Sequence, residues 1–179
     1  MAILFSEKVN QAFLNKATDV AYRLGIDVNW LMAVIELETA GTFDPAITNS
    51  LGYTGLIQFG KEAAERVGTT REKLREMTAV EQLEYVYKYY VIYKSKIKSY
   101  VDLYIATFFP VALGKPNDFV LQTSTLSAER IAKANPLFDI NKDSKITVGE
   151  IEQKLLNRIP TSFKDDLKKK FCPHCKLQL

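Results

Sequence analysis

Apolar residues recur at steps of three and four along most of this 179-residue chain. That step matches the period of an amphipathic α-helix, whose apolar side chains share one face. The apolar positions from Val9 to Leu24 therefore predict a first helix, and Gly25 is a typical helix end. No run of alternating apolar and polar residues competes with this pattern, so we expect an all-α fold.

Capping residues indicate where further helices begin. Asp27 predicts the start of a second helix that runs to Gly41, because Pro45 restricts the backbone soon afterwards. A capping-box signature at Thr78 predicts a long helix to about Lys98. The other expected elements are a short helix from Ser99 to about Pro110, a structured loop over 48–60, a helix on each side of 139–150, and an amphipathic stretch from Thr161.

Length and composition are those of a soluble globular protein. With 47% hydrophobic and 25% charged residues, the chain can bury one core, with room for a short appended module. A net charge of +3 is too small to indicate a nucleic-acid-binding protein. Residues 1–8 lack the basic start and sustained apolar stretch of a signal peptide, and no later stretch approaches membrane-spanning length. We therefore expect no nucleic-acid partner, no cleaved signal and no membrane anchor.

Both cysteines lie in one Cys-Pro-His-Cys cluster near the C-terminus. Cys172, His174 and Cys175 offer at most three metal ligands, whereas a structural zinc site uses four. A redox motif of this spacing would need a βαβ context that the sequence lacks. A metal or redox site and an exposed tail of minor function both remain open.

One glutamate lies on an apolar helical face. Leu31, Val34, Ile35 and Glu38 follow one another at i, i+3, i+4 and i+7, so that they share one stripe of the second helix. Glu36 falls about 140° away from Leu31 around the helix axis and is expected on the solvated side. Helical spacing therefore distinguishes Glu38 from Glu36.

A carboxyl group on an apolar face is costly to ionise. Partial desolvation raises the pKa of such a group towards the range where it holds a proton at neutral pH and can donate it. A glycosidase acid needs this property. The alternative is that Glu38, at the helix end, reaches water or caps the following loop.

The residues after Glu38 carry a more specific signal. They read ETAGTFDPA over 38–46 and NSLGYTGLIQF over 49–59. This order and spacing resemble the soluble lytic transglycosylase and goose-type lysozyme family. In that family a helix-terminal Glu-Ser precedes a Phe-(Asp/Asn)-Pro turn, and a Ser-Gly pair and Gly-Leu-(Met/Ile)-Gln follow. The similarity covers roughly residues 28–64.

The resemblance implies a lysozyme-like helical fold with Glu38 as general acid and base. It places Gln58 and the backbone from Tyr53 to Gly55 along a sugar-binding cleft, where a glycine lets the backbone approach a ligand. Tyr104 would supply a hydroxyl near the reacting sugar, although the Tyr-Asn pair common on that later helix of the family is missing here. Gln58 as a loop-anchoring amide and Tyr104 as a core aromatic remain the structural alternatives.

The reaction implied by the resemblance uses one carboxyl group. Glu38 would protonate the glycosidic oxygen between N-acetylmuramic acid and N-acetylglucosamine. As a carboxylate it would then help the muramyl C6 hydroxyl attack C1, forming a 1,6-anhydromuramyl end. Most hydrolases use two carboxylates instead. Asp44 is the nearest candidate for a second one, but its place in a Phe-Asp-Pro turn equally suits a turn-forming role.

A second motif covers residues 139–150, which read DINKDSKITVGE. It resembles an EF-hand loop, with Ser144 where that motif normally has glycine. The alternative is a polar loop that keeps the shape without binding metal. Because the loop occurs in a single copy, we expect bound calcium to act as a structural clip. The expected Ca²⁺ ligands are the side chains of Asp139, Asn141, Asp143, Thr147 and Glu150 and the backbone carbonyl of Lys145.

These motifs predict three regions: a lysozyme-like catalytic core over 1–125, an EF-hand-like helix-loop-helix packed on it over 126–160, and a C-terminal helix with a basic tail over 161–179. The leading functional interpretation is a peptidoglycan lytic transglycosylase. A hydrolytic muramidase of the same fold and a non-catalytic, calcium-dependent cell-wall-binding module are the alternatives.

The expected substrate, peptidoglycan, lies outside the cytoplasmic membrane, whereas the sequence suggests no signal peptide. A phage virion, a holin or a secretion machine would each deliver the enzyme to the cell wall. We favour the phage route, which would bring the chain into contact with other tail proteins. The sequence leaves the oligomeric state and the type of host wall open.

Overall fold

The computed structural model describes residues 2–168, so the cluster of Cys172, His174 and Cys175 lies outside the described residues. Within 2–168 the chain is mostly helical, with isolated β-bridges and no sheet, which confirms the predicted all-α class. No helix in that part is long and apolar enough to cross a membrane. The α-helices are α1 (Gln11–Leu24), α2 (Val28–Glu38), α3 (Lys61–Arg66), α4 (Arg71–Glu76), α5 (Ala79–Tyr90), α6 (Tyr100–Phe108), α7 (Ala128–Ala134), α8 (Val148–Arg158) and α9 (Thr161–Lys168).

The starts of four helices follow their capping residues. Side-chain oxygens of Asn10, Asp27, Thr78 and Ser99 accept backbone N–H groups in the first turns of α1, α2, α5 and α6. Each cap satisfies a donor that has no partner within its own helix. The predicted starts at Asp27, Thr78 and Ser99 are confirmed, as is the end of α1 at Gly25, which has a left-handed φ of 73°.

Helix α2 ends at Glu38 and not at the predicted Gly41. The N–H of Gly41 donates to the carbonyl of Glu36 at 2.7 Å, and the N–H of Ala40 donates to that of Leu37 at 3.2 Å. This pair of bonds is a Schellman motif, in which Ala40 takes a left-handed φ of 49°. Because an α-helix cannot continue through a left-handed residue, Glu38 is the last helical residue.

The predicted long helix from Thr78 to about Lys98 is wrong at its C-terminal end. Helix α5 stops at Tyr90, and one 3-10 turn, Val91–Tyr93, follows it. Val91 and Ile92 are β-branched and exposed, so no burial offsets their low helix propensity. Helices α3 and α4 were not predicted, because six residues are too few to show a helical period.

Helix α2 lies at the centre of the core. Every residue from Trp30 to Ile35 is buried, because α1 packs on one side of the helix and α6 on another. Helix α1 also packs along α5, where Glu84 accepts hydrogen bonds from Lys16 at 2.7 Å and Arg23 at 2.8 Å. Glu38 therefore lies where this buried helix reaches the protein surface.

The segment 119–121 joins the loop over 139–150 to the helical core. The N–H of Leu121 donates to the carbonyl of Ile146 at 2.8 Å, and the N–H of Val148 donates to that of Phe119 at 3.1 Å. Helix α8, which leaves the loop, packs against α6. The C-terminal part is thus attached through backbone hydrogen bonds as well as through helix packing.

Candidate active site

The turn after α2 fixes the position of Glu38. Thr39 is fully buried, and its hydroxyl donates to the carbonyl of Ile35 at 2.7 Å and accepts the N–H of Phe43 at 3.0 Å. The Phe43 ring is buried edge-on to Phe13, with 5.9 Å between the ring centroids. One hydroxyl therefore connects the last turn of the helix to an aromatic anchor in the core.

The Glu38 carboxyl group is in a strongly perturbed environment. Burial raises its pKa from 4.5 to about 7. Its place at the C-terminal end of α2, the negative end of the helix dipole, acts in the same direction. Among residues 2–164, whose side chains the structure describes, no hydrogen bond or ion pair engages this carboxyl group. At neutral pH Glu38 is therefore present in both its protonated and its ionised form.

Glu38 opens into a cavity of about 430 Å³, the central cavity. Three of the other residues predicted for the site, Tyr53, Gln58 and Tyr104, line the same cavity. Gly55 belongs to the same loop as Tyr53 and Gln58, but it is buried and does not line the cavity. The structure thus brings four of the five predicted cleft residues together around one space.

Gly55 makes room for a buried amide that the sequence did not reveal. It has a left-handed φ of 85°, and a Cβ at this position would lie 2.3 Å from Oε1 of Gln82. Gln82 is fully buried on α5; its Oε1 accepts the N–H of Leu56 at 2.6 Å, and its Nε2 donates to the carbonyls of Pro45 at 3.0 Å and Leu74 at 2.9 Å. The loop beside Glu38 is therefore held from below by one side chain.

Gln58 has an anchoring contact as well as a place in the cavity wall. Its Nε2 donates to the carbonyl of Gly55 at 3.1 Å, and its backbone has a left-handed φ of 51°. Asn49, another residue of the central cavity, accepts the N–H groups of Leu51 and Tyr53 through Oδ1. The same amides that hold the loop together thus also present polar edges to the cavity.

Aromatic rings form another part of the wall of the central cavity. Tyr104 and Phe108, one turn apart on α6, stack with 5.7 Å between centroids, and Phe138 packs against both rings at 5.7 and 5.3 Å. Burial raises the pKa of Tyr104 well above its usual value, and the charge of Glu38 acts in the same direction. The Tyr104 hydroxyl therefore stays protonated and can donate a hydrogen bond.

Part of this wall comes from the segment predicted as a separate calcium-binding unit. Helix α7 contributes Arg130 and Ile131, and the turn after it contributes Asn135 and Phe138. Sequence reasoning missed these four residues, because α7 has seven residues and shows no period of its own. The segment 126–160 thus supplies side chains to the same cavity as Glu38.

Two further cavities adjoin the central cavity, and each shares lining residues with it. A cavity of about 570 Å³, the cationic cavity, shares Tyr53, Gln58 and Phe108 with it. A smaller cavity of about 160 Å³, the narrow cavity, shares Glu38, Tyr104 and Phe138. We call the three adjoining cavities together the cleft; Glu38 lines both its narrow and its central part.

The neighbouring acidic residues are engaged elsewhere. Glu36, expected on the solvated side, is only 17% exposed in its side chain and lies 3.4 Å from Arg158. Asp44 is exposed, and its Oδ1 accepts the N–H of Ala46 at 2.9 Å, as expected for the turn-forming alternative. Among the side chains of residues 2–164, Glu38 is the sole carboxylate lining the central cavity.

The loop over 139–150 is closed by its own acidic side chains. Asp139 Oδ2 accepts the N–H of Ser144 at 3.1 Å, and Ser144 takes a left-handed φ of 66° at the position where EF-hand loops favour glycine. Glu150 Oε1 accepts the N–H of Ile140 at 3.0 Å, while Oε2 accepts that of Thr147 at 2.9 Å. Glu150 thus joins the two ends of the loop.

The loop is not arranged as a ready-made metal cluster. Within the described part of the chain, no group of three or more His, Cys, Asp or Glu side chains is gathered so as to hold a metal ion. However, Oδ1 of Asp139 is buried without a hydrogen-bond partner. Such an orphaned acceptor is costly unless a donor or a cation reaches it.

None of the protein-family models, curated proteins and solved structures with which the chain was compared matches it.

Proposed function

We propose that this protein is a lysozyme-like lytic transglycosylase that cleaves the glycan strand of peptidoglycan, with Glu38 as its general acid and base. The observation that carries the proposal is a single carboxyl group with a pKa of about 7 that lines a cavity of about 430 Å³. A general acid works best when its pKa lies near the working pH. Burial and the helix end both keep the pKa of Glu38 in that range.

In the proposed reaction, the protonated Glu38 donates its proton to the oxygen that links N-acetylmuramic acid to N-acetylglucosamine. The bond from C1 of the muramyl sugar to this oxygen breaks, and the N-acetylglucosamine hydroxyl leaves. The Glu38 carboxylate then accepts the proton of the muramyl C6 hydroxyl as its oxygen bonds to C1. Glu38 regains its proton, and the glycan ends in a 1,6-anhydro sugar with no water consumed.

The shape and lining of the cleft support a polymeric sugar as ligand. Glu38 lines two of the three adjoining cavities, which leaves room for sugar units beyond the scissile bond, as cleavage within a strand requires. The Tyr104 and Phe108 rings offer apolar faces for sugar C–H groups, while Asn49 and Gln58 offer amide groups for hydroxyl and acetamido substituents. We assign Tyr53, Gln58 and Tyr104 to substrate binding, and Gly55 to shaping the loop that carries Tyr53 and Gln58.

A hydrolytic muramidase of the same fold is the rival reaction. It would require water activated by a second group, and two-carboxylate hydrolases place that group across the scissile bond. Asp44 and Glu36 are both engaged in other contacts, which favours the one-carboxyl reaction. Mass spectrometry of products from purified peptidoglycan distinguishes the transglycosylase reaction from hydrolysis, because an anhydro end is lighter than a reducing end by one water.

The Glu38→Gln variant tests the enzyme assignment itself. Turbidity of purified cell walls should fall with the parent protein and stay constant with Glu38→Gln. Glu36→Gln is the matched control, since it alters the same helix turn but does not line the cleft. Undiminished clearing by Glu38→Gln would remove Glu38 from the reaction. Wall binding without clearing by the parent protein would instead favour a non-catalytic wall-binding module.

We further propose that the loop over 139–150 binds Ca²⁺ as an EF-hand-like structural clip. The orphaned Oδ1 of Asp139 and the left-handed Ser144 support this assignment. The side chains of Asp139, Asn141, Asp143, Thr147 and Glu150 and the carbonyl of Lys145 would hold the ion.

Glu150→Gln tests this assignment. Glutamine keeps a side-chain oxygen that can accept the N–H of Thr147 at the start of α8, but it lacks the negative charge that would bind the ion. Calorimetric titration should give calcium binding in the parent protein and at least tenfold weaker binding in Glu150→Gln; absence of binding to the parent would refute the assignment.

A further inference from the structure

Basic side chains are concentrated along the proposed cleft. Two carboxylates line its three cavities within the described residues, Glu38 and Glu62. The basic residues lining them are Lys61, Arg66, Arg71, Arg130, Lys154 and Arg158. The cleft therefore carries an excess of positive charge, and a low-dielectric cavity focuses such a field on an approaching ligand.

Arg66 is the basic residue of the cationic cavity that lies against aromatic rings. Its guanidinium lies 5.0 Å from the centroid of the Tyr89 ring and 5.9 Å from that of Tyr93. Within residues 2–164, whose side chains the structure describes, no carboxylate lies within 4 Å of Arg66 or Lys61. Arg71, by contrast, donates to the carbonyl of Gly52 at 2.9 Å and so holds the loop.

The rings of Tyr89 and Tyr93 restrict the position of the Arg66 guanidinium, which is therefore not a freely solvated cation. Tyr89 is buried, and its hydroxyl donates to the carbonyl of Ala106 at 2.9 Å, which fixes the ring. Its ring also packs edge-on to Phe59, with 5.9 Å between centroids. A guanidinium lying against fixed aromatic rings loses little further freedom when it binds a planar anion.

The cationic cavity adjoins the cavity in which the proposed reaction takes place. Tyr53, Gln58 and Phe108 line both this cavity and the central one, into which Glu38 opens. A strand whose scissile bond lies at Glu38 would thus bring a neighbouring unit, or its substituent, to Arg66. The sugars of the proposed substrate are neutral N-acetylated units, and its carboxylates belong to the substituent on the muramyl sugar.

We infer that the cationic cavity is a subsite for a carboxylate of the muramyl substituent, bound by Arg66 with Lys61 beside it. This inference rests on the proposed function. The carboxylate has two possible sources, the stem peptide or, on a strand without peptide, the lactyl group. Guanidinium and carboxylate groups match in shape and form paired, charge-assisted hydrogen bonds. The subsite would make the enzyme prefer muramyl-containing strands to neutral N-acetylglucosamine oligomers of equal length.

Binding measured in the Glu38→Gln background tests the subsite without turnover. The probes are soluble glycan strands with stem peptides, the same strands without peptides, and N-acetylglucosamine oligomers. We expect Arg66→Gln to weaken binding of peptide-bearing strands about tenfold, the scale of one charge-assisted contact that is partly exposed to water, and to leave the neutral oligomers unchanged. Lys61→Gln should act in the same direction and less strongly.

Arg75→Gln is the matched control, because it removes the same charge from α4 outside the three cavities. An equal loss in Arg75→Gln and Arg66→Gln would mean that net charge alone attracts the strands, and would overturn the subsite. An equal loss on all three probes, or no loss on any, would also overturn it. A loss confined to peptide-bearing strands identifies the stem peptide as the source of the carboxylate, and a loss confined to muramyl strands without peptides identifies the lactyl group. A loss on both kinds of muramyl strand means that the subsite accepts either carboxylate.

The same experiments separate the two proposals. If the parent protein cleaves strands but Arg66→Gln binds all probes as well as its background, the subsite fails and the proposed function stands. If the parent protein cleaves nothing while Arg66 still distinguishes the muramyl strands from the neutral oligomers, the enzyme assignment fails and the subsite stands.

Discussion

The ring of Phe138 packs against the ring of Tyr104 with 5.7 Å between centroids, and Phe138 is the residue directly before Asp139, the first residue of the proposed calcium loop. Tyr104 lines the central cavity together with Glu38. One side chain therefore connects the order of the loop to the wall of the cleft. The C-terminal segment is positioned to shape the site as well as to stabilise the fold.

Phe138→Ala should separate cleavage from calcium binding. Loss of the ring removes contacts with Tyr104 and Phe108, so we expect the free energy of unfolding to fall by about 2 kcal/mol for a half-buried ring and wall clearing to fall about tenfold. The ligands of the loop are untouched, so calcium affinity by calorimetry should stay within about twofold. Full clearing activity in Phe138→Ala would show that the aromatic wall is dispensable.

The rate of cleavage should follow the ionisation of Glu38. Its pKa of about 7 means that the acid form is lost as the pH rises through 7, so kcat/KM should fall about tenfold per pH unit above pH 8. The measurement is a pH–rate profile with soluble glycan strands. A rate that keeps rising above pH 8 would contradict Glu38 as the proton donor.

The stability of the protein should reveal the same pKa. Below pH 4 the Glu38 carboxyl group is protonated in both the folded and the unfolded state and favours neither. Between its unfolded pKa of 4.5 and its folded pKa of about 7, the unfolded chain releases the proton first, so the folded state loses stability as the pH rises. The total loss is up to about 3 kcal/mol.

Glu38→Gln should therefore be more stable than the parent protein at pH 8 and similar to it at pH 4. Chemical denaturation at both pH values measures the difference, and Glu36→Gln provides the comparison for a residue of the same helix turn. A constant difference between Glu38→Gln and the parent across this range would argue against an elevated pKa.

The Tyr104 hydroxyl offers a test of substrate contact without a change in the core. Within the described residues this hydroxyl makes no hydrogen bond, so Tyr104→Phe should keep the stability of the parent protein. Loss of one donor to the substrate should reduce kcat/KM about tenfold. Tyr100→Phe is the matched control, because Tyr100 is buried on the same helix but does not line the cleft. Equal activities of the two variants would assign Tyr104 to the core alone.

Gln82→Met should weaken the loop beside Glu38. Methionine has a similar length, but it leaves the N–H of Leu56 and the carbonyl of Pro45 without a partner, whereas the carbonyl of Leu74 keeps the N–H of Met77. Buried groups without partners cost about 1–3 kcal/mol each, so we expect a loss of about 3 kcal/mol in the free energy of unfolding. Thermal unfolding monitored by circular dichroism measures it, with Gln11→Met, on the exposed side of α1, as control.

Local signals predicted the helix starts and the orientation of Glu38 well, because caps and apolar spacing act within a few residues. The hydrogen bond from the N–H of Gly41 to the carbonyl of Glu36 helps to end α2 at Glu38, whereas the position of Pro45 had suggested a helix up to Gly41. Periodicity alone does not lead to the proposed function, which depends on the motif that follows Glu38 and on the geometry of the cavity.

The rest of the site could not be predicted, because it depends on contacts between distant parts of the chain. Gln82 reaches Leu56 across 26 positions, and Phe138 meets Tyr104 through the packing of α7 and the following turn. Neither residue carries a local pattern that distinguishes it from an ordinary helical glutamine or a core aromatic. The position of Arg66 against Tyr89 and Tyr93 likewise becomes visible only in three dimensions.

Gly55 and Gln82 also constrain how this chain can change over evolutionary time. A side chain at position 55 would occupy the space of the Gln82 amide, so the two positions should vary together: relatives that carry a larger residue at 55 should have a shorter one at 82. For the same reason, the loop over 48–60 should not function when grafted alone onto another helical scaffold. The unit that can be transferred is the loop together with the face of α5 that supports it.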